Sequence, residues 1–103
     1  MATYAETAEK FGITLDQARQ LKHAMSMTWD QIAWDWIDCF ESEDEALKEY
    51  GSEAAMVAEA TIDADRIRQF NPGVDLDWVY NMPDGGRRSG VIKMAEAIWN
   101  CRR

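Results

Sequence analysis

TLDQARQLKHAMSMTWDQIAWDWIDCFESEDE, residues 14–45, carries the same short unit three times at intervals of fourteen: TLDQ from Thr14, TWDQ from Thr28 and SEDE from Ser42. In each, a hydroxyl residue is followed three places on by Gln or Glu. In that pattern the hydroxyl accepts from a free N–H in the first turn of a helix, and the longer side chain reaches back to the capping residue. Read as caps, the units predict a succession of short helices: one from Thr14 through about Met25, one from Thr28 to about Phe40, and one from Ser42 that stops at Gly51.

The same signals extend outward in both directions. Thr3 with Glu6 opens a first helix that ends near Phe11, with Gly12 as its left-handed terminator. Ser52 caps a longer Ala-rich helix to about Phe70, where Asn71, Pro72 and Gly73 break the chain. VDLDWVY, residues 74–80, alternates as a strand would, but no second strand is present to pair with it, so a short helix capped by Asp75 is the better reading. MPDGGRRSG is a loop, and Ser89 caps a final helix through about Arg102 whose Val91, Met94, Ala95, Ile98 and Trp99 share a face. The expectation is an all-α single domain over residues 1–103, a bundle of five or six short helices. The residues between the caps do not repeat and fourteen is below the usual solenoid period of about 20–50 residues, so regular helix length explains the spacing.

Residues 4–23, YAETAEKFGITLDQARQLKH, resemble a helix-turn-helix unit. That family has an alanine in the first helix, a glycine four residues later in the turn, and apolar residues facing inward. Ala8, Gly12, Phe11, Ile13, Ala18 and Leu21 fill these places here. Ala8 permits close approach of the two helices, and Gly12 accepts the turn conformation. The resemblance implies that the second helix is a reader, with Thr14, Asp16, Arg19 and Gln20 toward a major groove. Arg and Gln suit base edges, whereas Asp16 departs from the DNA-binding version of the motif.

Composition narrows the function classes. A chain of 103 residues is long enough to build one hydrophobic core without staples. Cys39 and Cys101 have neither metal-site nor redox-motif spacing, which makes a reduced cytoplasmic setting the default. No apolar run is long enough to span a bilayer, and MATYAETAEK lacks the features of an export signal. The net charge of −8 is unevenly spread. Residues 1–64 hold fourteen acids against four bases, and residues 65–103 five acids against seven bases. Such a first half repels phosphate, which argues against broad charge-driven binding to nucleic acid or anionic lipid there, so any nucleic-acid contact is local.

The acidic half also carries the candidate binding surface. At helical pitch Trp29, Ile32, Ala33, Trp36 and Phe40 fall on one face and point to the core, while Trp34 falls away from them with Asp30, Asp38 and Glu41 within one or two turns. Trp34 either covers a neighbouring helix or acts as a protein-binding anchor with a charged rim. Downstream, ESEDEALKE crowds Glu41, Glu43, Asp44, Glu45 and Glu49 around the Ser42 cap. Acids in a first turn favour the helix dipole, yet so many repel one another, and their complement is either the chain's own basic loop or a partner with a basic surface.

That basic loop, GGRRSG at residues 85–90, sets Arg87, Arg88 and Ser89 at a helix start, a place where backbone N–H groups hold anions; it is not a P-loop. Catalytic constellations are missing. His23 is the only histidine and faces solvent, and the pairs Asp63/Asp65 and Asp75/Asp77 lack the rest of a calcium loop, so no metal and no cofactor is expected. The preferred expectation is a non-enzymatic binding protein that regulates or inhibits a protein partner. In size and charge it is similar in kind to phage or mobile-element inhibitors of host nucleic-acid enzymes, anti-CRISPR-type proteins included. The rivals are a helix-turn-helix DNA-binding regulator using Thr14, Arg19 and Gln20, and an assembly subunit, monomer or homodimer, using the face of Met56, Ala60, Ala64 and Ile67.

Overall fold

The computed structural model describes residues 2–30, 38–64, 76–82 and 88–102, which form six helices: α1 Tyr4–Phe11, α2 Leu15–Thr28, α3 Glu43–Tyr50, α4 Glu53–Ala64, α5 Asp77–Tyr80 and α6 Arg88–Trp99. The all-α expectation holds.

Four of the expected caps form. The Thr3 hydroxyl accepts from the Glu6 N–H at 3.2 Å and Thr14 from Gln17 at 3.1 Å; Ser42 accepts from Glu45 at 3.1 Å and Ser52 from Ala55 at 3.0 Å. Thr14 and Gln17 make the full reciprocal box, since the Thr14 N–H donates to Gln17 Oε1 at 2.9 Å. Gly12 and Gly51 end α1 and α3 in the left-handed region, at φ 69° and 92°.

Thr28 does not cap. It lies buried at the end of the continuous fourteen-residue α2, its Oγ1 donating to the Ala24 carbonyl at 2.9 Å, and Trp29 beyond it keeps right-handed helical angles. Ser26 does the same to Lys22 at 3.0 Å. The expected break after Met25 is therefore overturned. With no Gly or Pro between Leu15 and Trp29, hydroxyls inside a helix turn back onto the preceding carbonyls instead of starting a new one. The interval between TLDQ and TWDQ is the length of one helix, not the spacing of two.

The later elements also differ from their expected bounds. VDLDWVY does contain a helix, but it starts at Asp77 with Leu76 at its N-cap and no side-chain cap; Asp75 lies outside the described residues. Ser89 sits inside α6, which ends at Trp99 and not near Arg102. After that end the Arg102 N–H donates to the Ala2 carbonyl at 3.0 Å, leaving residues 3 and 102 bridged in parallel. Beside this bridge Cys101 is a free thiol, its sulfur 2.9 Å from Thr7 Oγ1 and donating to the Ala97 carbonyl at 3.2 Å.

The main core joins α1, α2, α4, α5 and α6 through Ala8, Ala18, Leu21, Met25, Val57, Val79, Val91, Met94 and Ile98. Buried alanines on both helices let α4 lie closely on α6, the most extensive helix pairing among the described residues. A second cluster of Ala46 and Met56 seats α3 on α4 under Trp29, Phe40, Leu47 and Tyr50. Of the face expected for self-assembly, Met56 and Ala60 are fully buried within the chain, while Ile67 and the side chain of Ala64 lie outside the described residues. Trp29 and Phe40 face these clusters as expected, whereas Ile32, Ala33, Trp34 and Trp36 lie outside the described residues. Among the described residues, no helix is long and apolar enough to cross a membrane.

Candidate functional site

The acidic residues singled out in the sequence lie on the outside. Asp30, Asp38, Glu41, Glu43, Asp44, Glu45 and Glu49 are all exposed, and none forms an ion pair with a described base. Glu45 has a local task as well, because its Oε2 accepts from the Glu41 N–H at 3.3 Å and so completes the start of α3. Trp34, expected at the centre of this surface, lies outside the described residues, as do Arg87 and the side chain of Arg88; Ser89 is exposed.

Beside this face is a cleft of about 500 Å³ lined by Phe40, Glu49, Tyr50, Ala55, Glu59, Ile92 and Glu96. Three helices build it. The end of α3 supplies Glu49 and Tyr50, α4 supplies Ala55 and Glu59, and α6 supplies Ile92 and Glu96. Phe40 meets Tyr50 edge to face, with ring centroids 6.1 Å apart and planes at 76°. The aromatic pair is held from beneath by Ala46 and Met56. Phe40, Tyr50 and Ile92 set apolar surface beside the three carboxylates of this open cleft.

Tyr50 reports the field in the cleft. Burial, followed by the negative charges of Glu59, Asp63 and Glu49 and the nearby Cys39, pushes its phenol above the ordinary value of 10.0. The hydroxyl therefore stays protonated at neutral pH, and the surrounding carboxylates act on it as one anionic cluster. Among the described residues, no three of His, Cys, Asp and Glu converge in a way that could hold a metal ion.

Of the cleft residues, Glu49 alone is an expected site residue and Phe40 an expected core residue; Glu59 and Glu96 are not expected there. A signal for both existed: each is the lone carboxylate in an apolar run, AAMVAEATI at residues 54–62 and VIKMAEAIW at residues 91–99. Both are half-exposed on helices that pack together.

On α2, Arg19 and His23 are exposed, and Gln20 is half-buried with contacts of its own. Thr14, a candidate base reader, has its hydroxyl committed to the α2 cap. A scan against protein-family models, and searches of curated proteins and of solved structures, return no match to this chain.

Proposed function

We propose that this chain is a non-enzymatic binding protein that regulates or inhibits a protein partner with a basic surface. The observation that carries the reading is the cleft in which Phe40 and Tyr50 lie among Glu49, Glu59 and Glu96, beside the exposed acids of Glu41–Glu49. Guanidinium groups suit it: they stack on aromatic faces and bond carboxylates in pairs. Exposed acids around the rim steer a basic partner toward the cleft, and they match the grooves of nucleic-acid enzymes, where carboxylates can stand where phosphates would lie. In this reading a partner arginine enters the cleft while the α3 face covers neighbouring bases.

The test is fluorescence anisotropy with a labelled peptide of alternating Arg and Gly, against a Glu-Gly peptide as control. Wild type binds the Arg peptide, and Glu49→Gln, Glu59→Gln and Glu96→Gln together weaken it by about tenfold. Neutralising Glu43, Asp44 and Glu45 slows association more than it speeds dissociation. Equal affinity across wild type and both variants would remove the cleft from the proposal.

A second reading, in which α2 reads duplex DNA, draws on the exposure of Arg19. The commitment of Thr14 to its cap, the neighbouring Asp16 and the negative charge of the first half all weigh against it.

A further inference from the structure

A second cavity, of about 440 Å³, lies between α1 and α2 and is lined by Tyr4, Arg19, Lys22, His23 and Ser26. Its chemistry is the reverse of the cleft's. The chain holds nineteen acids and eleven bases, yet no described acid lines this cavity. Arg19, Lys22, His23 and Ser26 occupy positions i, i+3, i+4 and i+7 of α2, a spacing that stacks them along one face, and Tyr4 closes the cavity from α1 with its ring packed against the core.

The individual groups have distinct roles. Lys22 is fixed, since its ammonium donates to the Trp99 carbonyl and lies 4.4 Å from the centroid of the Trp99 ring, placing a positive charge in a set position. Ser26 spends its hydroxyl hydrogen on the Lys22 carbonyl and so serves as wall, not donor. Among the described residues, the guanidinium of Arg19, the imidazole of His23 and the hydroxyl of Tyr4 have no hydrogen-bond or ion-pair partner. Three side chains able to donate, with no acceptor among the described residues, therefore line one cavity beside a fixed cation.

We propose that this cavity is an oxyanion site that takes the phosphate of a small phosphomonoester. A guanidinium bonds two phosphate oxygens side by side, and additional His and Tyr donors can serve the remaining oxygens of a tetrahedral group, which offers more acceptor corners than a planar carboxylate. The source is a small molecule and not a polynucleotide, because residues 1–64 carry fourteen acids against four bases and repel an extended polyanion, whereas one phosphate meets only the local field. The site shares no lining residue with the acidic cleft and stands whether or not that cleft binds a partner.

Titrations of the full chain with inorganic phosphate, with phenyl phosphate and with a short mixed-sequence DNA duplex, followed by NMR of the Arg19 side chain and the His23 ring, test it. Saturable shifts of both groups by the two phosphates, absent with chloride at matched ionic strength, are the expected result. Arg19→Gln and His23→Gln, both at exposed positions, should retain wild-type circular dichroism and together weaken phenyl phosphate binding by about tenfold. An equal response to chloride, or unchanged affinity in the folded double variant, would overturn the site. Tighter binding of the duplex than of phenyl phosphate would overturn its assignment to a small molecule.

Discussion

The ammonium of Lys22 on α2 lies 4.4 Å from the centroid of the Trp99 ring on α6 and donates to the Trp99 carbonyl oxygen. One side chain thus satisfies a carbonyl at the end of α6, complements the negative end of that helix and covers an indole face. The same indole donates from Nε1 to Glu53 Oε1 at 3.3 Å, so α2, α6 and α4 meet through a single tryptophan. Lys22→Met, which keeps the apolar stem, is expected to cost about 1–2 kcal/mol in urea unfolding. A double-mutant cycle with Trp99→Leu should return a coupling of about 1 kcal/mol; additive effects would show that the contact contributes nothing of its own.

Thr14 and Thr28 head identical-looking sequence units and should respond oppositely to substitution. Thr14→Ala removes a working cap and is expected to cost about 1 kcal/mol. At Thr28 the hydroxyl only adds a bond to a carbonyl inside a continuous helix, so the near-isosteric Thr28→Val should change stability by about 0.5 kcal/mol or less. Chemical denaturation of the two variants side by side is the measurement, and a larger loss at Thr28 would contradict the continuity of α2.

Gly12 ends α1 at φ 69°, and a Cβ placed there would meet nothing within 4 Å. The cost of Gly12→Ala is therefore purely one of backbone conformation, about 1 kcal/mol by thermal unfolding, with Gly12→Asn losing less because Asn tolerates left-handed angles.

Tyr50 sets a pH dependence. Its folded pKa lies above the unfolded value of 10.0, so the folded state holds the phenolic proton more tightly. The linked contribution to stability is fully present below pH 10 and is lost as pH rises through the folded pKa. Tyrosinate absorbance of wild type minus Tyr50→Phe should show this late titration. Glu59→Gln, which removes the largest nearby charge, should bring it earlier.

Much of the architecture was legible in the chain because helix ends are written in local chemistry: Thr3, Thr14, Ser42 and Ser52 cap, and Gly12 and Gly51 stop. The exposed acids of α3 were legible for the same reason, since their number around one cap left them nowhere to be buried. The limits of such reading show at Thr28, where an N-cap and a back-bonding helical threonine share the same Thr-x-Asp-Gln pattern. The choice between them depended on whether residues 15–30 could bury a continuous face against α4 and α6.

The two cavities were decided by tertiary structure alone. Glu49, Glu59 and Glu96 are separated by dozens of residues at the extremes, and only the close packing of α4 on α6, with α3 laid across α4, brings them to one aromatic-walled cleft. Tyr4 likewise joins Arg19 and His23 because the turn at Gly12 folds α1 back along α2. Local sequence determined where helices begin and end and which sign of charge dominates the first half. The meeting of distant side chains depended on which helix faces could be buried together, a nonlocal free energy that no single stretch of the chain contains.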